Sequence, residues 1–218
     1  MARREAPGFI VVEGPIGVGK TTLAQQLAES FGSDLLLEGA EENPFLERFY
    51  RDPRGAALQT QLFFLFQRAE QLKALRQSDL FQPVRIADYI IEKDRLFAGL
   101  TLDAEEFRLY EQVYAHVTLD APRPDLVVYL QAPVEVLKKR IAERGRGYEQ
   151  HMATDYLQRL SESYMQFFHH YTDAPLLIVN AAEIDFAHNR QDYELLLAEI
   201  RKVRTGRHYF NPTRLAIG

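Results

Sequence analysis

A glycine-rich segment near the start of the chain has the residue types and the spacing that phosphate binding requires. Residues 14–21 read Gly-Pro-Ile-Gly-Val-Gly-Lys-Thr, which fits the pattern G-x-x-x-x-G-K-[ST]. In such a loop the glycines let backbone N–H groups close around phosphate oxygens, the lysine reaches the β- and γ-phosphates, and the threonine hydroxyl can ligate Mg²⁺. The pattern predicts a nucleoside triphosphate site formed by Gly14, Pro15, Ile16, Gly17, Val18, Gly19, Lys20, Thr21 and Thr22.

Two carboxylates stand where they could serve the reacting phosphate. Glu38 follows the apolar residues 35–37, and Asp88 follows the short segment Val-Arg-Ile-Ala at 84–87. Strand ends of a parallel sheet face the ligand crevice, so both side chains are expected near the transferring phosphoryl group. Asp88 is predicted to hold Mg²⁺ together with Thr21, and its alternative role is to cap a helix. Glu38 is predicted to be catalytic, and its alternative is an ordinary surface carboxylate.

Three arginines are clustered around the end of one predicted helix. Arg140, Arg144 and Arg146 stand there, with Gly145 and Gly147 loosening the segment. Such a cluster is typical of a mobile lid that neutralises the developing charge of phosphoryl transfer, and its alternative is a cationic helix C-terminus. The sequence has no Asn-Lys-x-Asp motif of the kind that reads guanine in GTPases. The combined pattern therefore favours a small-molecule kinase that uses Mg²⁺-ATP.

The elements that must position these residues alternate along the chain. Strands are predicted over residues 9–12, 35–37, 84–87, 126–130 and 176–179. Helices are predicted from about residue 20 to Gly32, and over 56–80, 104–117, 134–144, 154–171 and 192–203. This alternation predicts an α/β protein with the P-loop kinase fold: a five-stranded parallel sheet, helices on both faces and an arginine-rich lid. Residues 1–218 are expected to form a single domain, with the last dozen residues trailing over the surface.

The composition restricts the kind of partner that the protein can have. A net charge of −5, without a basic arm or tail, argues against a nucleic-acid backbone as a ligand. The absence of cysteine excludes disulfides and thiolate metal sites, and it fits a reducing cytoplasm. No apolar run approaches the roughly 20 residues that cross a bilayer. We therefore expect a soluble cytoplasmic enzyme with no membrane and no nucleic acid as a partner.

Taken together, these motifs resemble the deoxyribonucleoside kinase family, and within it the bacterial deoxyadenosine/deoxyguanosine kinases, from about residue 9 to residue 186. The resemblance implies that Glu38 is the general base that takes the proton of the acceptor's 5′-hydroxyl. It implies that Lys20 and two lid arginines, Arg144 and Arg146, stabilise the transferring phosphoryl group. Further ATP contacts are implied for Arg140, Asp185 and Phe186.

The resemblance also implies an acceptor site for a deoxynucleoside. Tyr50 and Glu149 match residues that bind the sugar 3′-hydroxyl, while Gln61, Arg68 and Asp94 match a trio that reads the nucleobase. Gln61 and Arg68 are seven residues apart, which places them on one face of a helix. The implied function is ATP-dependent phosphorylation of deoxynucleosides in nucleotide salvage by a homodimer. Purine deoxynucleosides are the expected acceptors, and deoxycytidine is a further candidate.

The sequence departs from the family pattern in two places. The family usually has an acid-Arg-Ser/Thr triplet after the third strand, where this chain reads Asp88-Tyr89-Ile90, so the arginine that contacts the 5′ region is missing. The aromatic residue that stacks on the nucleobase in animal members falls on Ala98, with Phe97 one place away.

Two other functions remain open from the sequence. A nucleoside monophosphate kinase shares the phosphate loop, but it needs extra basic groups for the phosphate of its acceptor. A catalytically silent nucleotide-binding protein is the second alternative, and intact Lys20, Thr21 and Glu38 argue against it.

Overall fold

The computed structural model describes residues 8–77, 84–118 and 121–212, and strands alternate with helices along them. The strands are β1 (Phe9–Glu13), β2 (Asp34–Leu36), β3 (Arg85–Ala87), β4 (Leu126–Gln131), β5 (Leu176–Asn180) and β6 (Arg207–Phe210). The helices are α1 (Lys20–Phe31), α2 (Leu46–Arg51), α3 (Pro53–Gln77), α4 (Lys93–Thr101), α5 (Ala104–Val117), α6 (Val134–Arg144), α7 (Thr154–His170) and α8 (Arg190–Lys202). Short 3₁₀ turns cover Ala40–Glu42 and Gly147–His151.

All strands belong to one parallel sheet with the order β2-β3-β1-β4-β5-β6. The central strand β1 leads directly into the glycine-rich loop, and β3 and β2 lie on one side of it. Because parallel strands all end at the same edge of a sheet, the loop after β1 lies beside the residues that follow β2 and β3. The topology therefore brings the phosphate loop, Glu38 and Asp88 to one edge, as the sequence predicts.

The C-terminal strand β6 corrects the predicted architecture. Residues 207–210 were expected to trail over the surface, but they pair with β5 in parallel, so the sheet has six strands instead of five. An edge strand needs little apolar sequence, because one of its sides is open to solvent, and Tyr209 is accordingly 70% exposed. The Arg207 guanidinium also fixes the strand, since Nη2 donates to the carbonyls of Phe168 and His169 at 3.0 and 2.9 Å.

The side chains of β1 alternate between two apolar clusters, one on each face of the sheet. Ile10 and Val12 pack with α1, α6 and α8, and Phe9 and Val11 pack with α3, α4, α5 and α7. This arrangement confirms the predicted α/β fold with helices on both faces. The predicted helices over 104–117 and 134–144 match α5 and α6 residue for residue. Within the described ranges no helix is both long enough and apolar enough to span a bilayer.

Candidate active site

The phosphate loop is a tight turn that its glycines alone allow. Gly14 has φ +148°, and a Cβ there would lie 2.5 Å from the carbonyl oxygen of Leu130. Gly17 has φ +83°, and its Cβ would lie 2.7 Å from the side chain of Ile141. Neither position can take a side chain without moving its neighbours. The loop therefore packs closely against β4 and α6.

Lys20 begins α1 and turns back over the loop. Its Nζ donates to the carbonyl oxygen of Gly14 at 2.8 Å. Burial, followed by the positive charge of Lys93, lowers the pKa of Lys20 to about 8, and nearby carboxylates oppose this shift. A half-buried ammonium beside the phosphate loop attracts a phosphate, because solvent screens it less than an exposed one.

Asp88 connects the start of α1 to Glu38, in the loop that follows β2. Its Oδ2 accepts a hydrogen bond from the Thr21 hydroxyl at 2.6 Å, and its Oδ1 accepts one from the backbone N–H of Glu38 at 2.8 Å. Asp88 does not cap α4, because the N-cap position of that helix is Glu92. One hydroxyl and one carboxylate suit Mg²⁺, which usually takes one or two protein oxygens and completes its shell with water and phosphate oxygens. The geometry thus fits Thr21 and Asp88 as the two protein ligands.

The Glu38 carboxylate lies between two cations. Its Oε1 accepts from the Arg68 guanidinium, and its Oε2 accepts from Nζ of Lys93 at 2.6 Å. Burial alone would raise the pKa of Glu38, but the charges of Arg68, Lys93 and Lys20 hold the pKa well below its usual range. Glu38 is therefore ionised at neutral pH, which is the form that can accept a proton. Its side chain is 18% exposed, so it faces the cavity and is not a surface carboxylate.

Arg68, on α3, joins Glu38 to Asp94. Its Nη1 donates to Asp94, which is buried on α4, and its guanidinium lies 4.9 Å from the ring centre of Phe64. Two atoms of this ion pair, Nε of Arg68 and Oδ2 of Asp94, are buried and have no hydrogen-bond partner among the described residues. Such atoms are costly to leave unpaired and are common where a ligand supplies the missing partner.

A cavity of about 390 Å³ opens in front of these groups, and we call it the acceptor cavity after the site that the resemblance implies. Its lining includes Glu38, Lys20, Thr21, Gln61 and Arg68. Gln61 donates to the hydroxyl of Thr101 at 3.3 Å and makes no described contact with Arg68. The remaining wall is mostly aromatic and apolar, with Leu46, Phe49, Tyr50, Phe64, Phe97, Tyr148 and Tyr156. The volume is within the range of cavities that hold small ligands.

The structure places the two positions at which the chain departs from the family pattern. Phe97 lines the cavity, whereas Ala98 is fully buried and does not. An aromatic ring is therefore present in the cavity wall, at Phe97, one residue before the position that the family motif indicates. Tyr89 is buried, and its hydroxyl donates to Oε1 of Gln71 at 2.6 Å. Tyr89 therefore fills its position without supplying a positive charge.

A second cavity of about 780 Å³ lies on the other side of the phosphate loop. Residues from Gly17 to Thr22 line it together with Arg140, Asp185 and Phe186. Arg140 is tied to the carbonyl oxygens of Val18 and Ala181 at 3.2 and 2.8 Å, so it supports the loop. The two cavities share five lining residues: Gly17, Lys20, Thr21, Arg144 and Arg146.

The two arginines shared by the cavities are paired with carboxylates. Nη2 of Arg144 donates to Glu149 at 2.5 Å, and Arg146 lies 2.8 Å from Glu41. Glu149 is buried at the end of the acceptor cavity, beside the stacked rings of Tyr50 and Tyr148, whose centres are 6.1 Å apart. Glu149 therefore has an arginine partner that the sequence did not predict, in addition to its position near Tyr50.

Lys93 is a charged residue of the site whose burial the sequence did not reveal. It is 1% exposed, and it lines the acceptor cavity beside Glu38. A lysine within Glu92-Lys93-Asp94 resembles part of a solvated charged turn, so its own neighbours gave no sign of burial. The one available signal was the apolar sequence on both sides, Ile90-Ile91 before it and Leu96-Phe97 after it.

Comparison with known proteins is consistent with this geometry. The profile of one protein family, described as deoxynucleoside kinase, matches residues 10–204. The chain is 37% identical to deoxyguanosine kinase of Bacillus subtilis over 203 residues, which cover 89% of this chain and 97% of that protein. It is 30% identical to deoxyadenosine kinase of Lactobacillus acidophilus over 207 residues, 88% of this chain and 94% of that protein.

A solved structure supports the same relationship. The deoxyadenosine kinase of M. mycoides with bound dATP superposes with a TM-score of 0.78 and 26% sequence identity, over 89% of this chain and all of that one. The profile match, over residues 10–204, covers far more than half of the chain. The chain belongs to the deoxynucleoside kinase family.

Proposed function

We propose that this kinase transfers the γ-phosphoryl group of Mg²⁺-ATP to the 5′-hydroxyl of a deoxynucleoside, with purine deoxynucleosides as its preferred acceptors. The observation that supports this most directly is the position of Glu38. An ionised carboxylate lines the acceptor cavity where that cavity meets the phosphate loop. A hydroxyl placed there would have a proton acceptor on one side and the γ-phosphate on the other, which is the geometry that phosphoryl transfer needs.

Each polar group of the junction then has a role in the reaction. Glu38 accepts the proton of the 5′-hydroxyl, and Lys20 donates to the oxygens of the transferring group. Arg144 and Arg146 exchange their carboxylate partners for phosphate oxygens as the lid closes. When Mg²⁺ is bound, it neutralises the β- and γ-phosphate oxygens, and Thr21 and Asp88 would hold it.

The acceptor cavity favours a nucleoside over a nucleotide. Its wall carries the Glu38 carboxylate, which a hydroxyl acceptor needs as a proton acceptor and an ionised phosphate acceptor does not. The two cations beside Glu38 already compensate that carboxylate. No observation favours a monophosphate kinase or a catalytically silent protein, since the general base and the phosphate-loop lysine are both in position.

The preference for purines rests on the pair of Arg68 and Asp94. A guanidinium fixed by a carboxylate presents parallel N–H donors, which suit the N7 and O6 acceptors of a purine edge. Gln61 adds one donor and one acceptor on the same face of α3. Related enzymes described as deoxyguanosine and deoxyadenosine kinases agree with this preference.

Asp94→Ala is expected to lower purine phosphorylation more than pyrimidine phosphorylation, because it leaves Arg68 misaligned for the purine edge. Breaking a buried ion pair usually destabilises a protein by about 3–5 kcal/mol, and we expect less here because Glu38 still compensates Arg68. The double variant Asp94→Ala/Arg68→Met removes the stranded charge and should shift the ratio of efficiencies towards thymidine. The measurement is kcat/KM for deoxyadenosine, deoxyguanosine, deoxycytidine and thymidine in the parent, both single variants and the double.

The informative result of this experiment is the ratio of kcat/KM values between acceptors. Arg68 also contacts Glu38, so Arg68→Met lowers turnover for every acceptor, and this common loss cancels in a ratio. Equal losses for all four acceptors, with strictly additive free energies, would show that the pair does not read the nucleobase. A parent that prefers pyrimidines would contradict the purine proposal by itself.

We propose in addition that Tyr50 and Glu149 bind the sugar 3′-hydroxyl. The double variant Tyr50→Phe/Glu149→Gln is expected to reduce the preference for a 3′-hydroxyl over a 3′-deoxy acceptor. A 3′-deoxy acceptor is disfavoured because it leaves buried polar groups unpaired, and weaker hydrogen-bonding partners make this difference in efficiency smaller. The ratio of kcat/KM for deoxyadenosine to that for 2′,3′-dideoxyadenosine measures the effect. Because Glu149 also binds Arg144, a general loss of turnover is expected, and an unchanged ratio would refute the assignment.

Two further proposals, on location and on oligomeric state, follow from the composition and the family resemblance. The protein is expected to act in the cytoplasm and to form a homodimer, and light scattering of the purified chain measures the second of these.

A further inference from the structure

Lys93 is a buried cation, and none of the catalytic or binding roles proposed above involves it. It is the first residue of α4, and its side chain is 2% exposed. Its Nζ donates to Oε2 of Glu38 at 2.6 Å and lies 3.7 Å from Oε1 of Glu13. It lines the acceptor cavity together with Lys20 and Glu38. A second ammonium is therefore present at the place where the acceptor meets the phosphate loop.

Charge compensation alone does not account for this lysine. The Glu13 carboxylate already accepts hydrogen bonds from the N–H groups of Gly14 and Ile90 and from the Tyr164 hydroxyl, at 2.8, 3.0 and 3.0 Å. Glu38 has Arg68 as another cation. Arg68 divides its guanidinium between Glu38 and Asp94, so ion pairing explains the fixed position of Lys93. It does not explain why the lysine lines the cavity.

The ammonium also has donors to offer. Among the described contacts it gives one of its three N–H groups to Glu38, and its 3.7 Å separation from Glu13 exceeds hydrogen-bond length. A triphosphate tail in front of Lys20 would bring negative oxygens to the same cavity wall. Lys93 thus combines a fixed position, a positive charge and free donors on the acceptor side of the phosphate loop.

We propose that Lys93 is a catalytic residue that donates a hydrogen bond to an equatorial oxygen of the transferring γ-phosphoryl group while it holds Glu38 in place. The proposal rests on the roles proposed for Glu38 and Lys20. In the reaction the 5′-oxygen forms a bond to the γ-phosphorus, and the bond from that phosphorus to the bridging oxygen breaks and leaves its electron pair on ADP. The 5′-proton passes to Glu38, and Lys93 keeps all its protons. Lys93 thereby supplies, from α4, the cation that Tyr89 does not supply.

The first test is the rate of the chemical step in Lys93→Met. Parent and variant are mixed with saturating Mg²⁺-ATP and the fastest of the four deoxynucleosides, and product is followed by rapid quench in a single turnover. We expect a rate about 10²-fold lower, which is the usual loss when one donor to the transition state is removed. Affinities for ADP and for the 5′-deoxy analogue of the acceptor should stay within about threefold of the parent values, because neither carries the transferring group.

Lys202→Met is the matched control, since it removes an exposed lysine of α8 that pairs with Glu199. Its rate should equal that of the parent. A single-turnover rate for Lys93→Met within about threefold of the parent would overturn the proposal, as would equal losses of rate and of ADP affinity.

The second test asks whether the charge itself is needed. The chain has no cysteine, so Lys93→Cys introduces a single thiol that can be alkylated, in urea before refolding where the folded protein does not react. Alkylation with 2-bromoethylamine rebuilds a side chain of nearly the length and charge of lysine, and iodoacetamide adds a neutral group of similar size. The ammonium adduct should recover at least about tenfold in rate, because it restores a charged donor, and the neutral adduct should not. Equal recovery with both adducts would reduce Lys93 to a packing role.

Two double variants separate this role from its neighbours. Glu13→Gln/Lys93→Met removes one buried charge of each sign. If Lys93 only compensates the charge of nearby carboxylates, this double variant restores the charge balance that Lys93→Met alone disturbs. We expect its folded stability to recover but its rate to remain low. Lys93→Met added to Glu38→Gln should lower the rate further, by about tenfold or more, because the two side chains act on different atoms. No further loss would mean that Lys93 acts only through Glu38, and an unaffected Glu38→Gln would instead refute the proposed base.

Discussion

Glu38→Gln is expected to lower the rate of phosphoryl transfer by about 10²- to 10⁴-fold while leaving ATP affinity unchanged, because an amide cannot accept the proton of the 5′-hydroxyl. Its carboxylate is buried between Arg68 and Lys93, which hold its pKa well below the usual range. The amide keeps the shape of the side chain but removes a negative charge from beside two cations. Turnover at saturating substrates and ATP affinity by calorimetry, without an acceptor, measure the two effects.

Glu47→Gln is the matched control for this substitution. Glu47 lies on α2, where its exposed carboxylate pairs with Arg51 at 2.7 Å. An exposed pair of this type contributes little to stability, so the control should behave as the parent does. Thermal unfolding of both variants separates a catalytic loss from a loss of folded protein. A turnover for Glu38→Gln within about threefold of the parent would remove Glu38 from the mechanism.

Lys20→Ala should reduce phosphoryl transfer by at least about 10²- to 10³-fold for every acceptor alike, because the lysine acts on the phosphates of the donor and not on the nucleoside. Its Nζ, 2.8 Å from the carbonyl oxygen of Gly14, lies over the loop that the donor's phosphates occupy. Rates with all four deoxynucleosides, at saturating ATP, give the comparison. Lys202→Ala serves as the surface control. A loss confined to one acceptor would mean that Lys20 contacts the nucleoside.

The residues of the phosphate loop could be predicted because their signal is local. Eight consecutive residues at 14–21 carry the motif, and one strand and one helix flank it as the motif demands. Glu38 and Asp88 could be predicted almost as well, since each follows a short apolar strand and parallel strands end at a common edge. The edge strand β6 could not, because Arg-His-Tyr-Phe carries neither an apolar run nor a clear alternation.

The partners of the charged groups could not be read from the sequence. Arg68, on α3, and Glu38, in the loop after β2, are 30 residues apart, and only tertiary packing brings them together. The pairs of Arg144 with Glu149 and Arg146 with Glu41 depend in the same way on where the lid lies. Lys93 shows the reverse problem, since its neighbours in sequence are charged while its neighbours in space exclude water. Motifs identify chemical groups, and tertiary packing decides which of them meet.

The double contact of Arg68 has a consequence for how this enzyme could change its acceptor. One guanidinium contacts both Asp94, which is proposed to help read the nucleobase, and Glu38, which is proposed to take the proton. A substitution at Arg68 that admits a new nucleobase therefore also alters the surroundings of the proton acceptor. The first variants selected for a new acceptor should therefore have low turnover. Second substitutions near Lys93 or Glu38 should restore the turnover. In this protein, evolving a different substrate range and keeping a fast catalyst are a single problem.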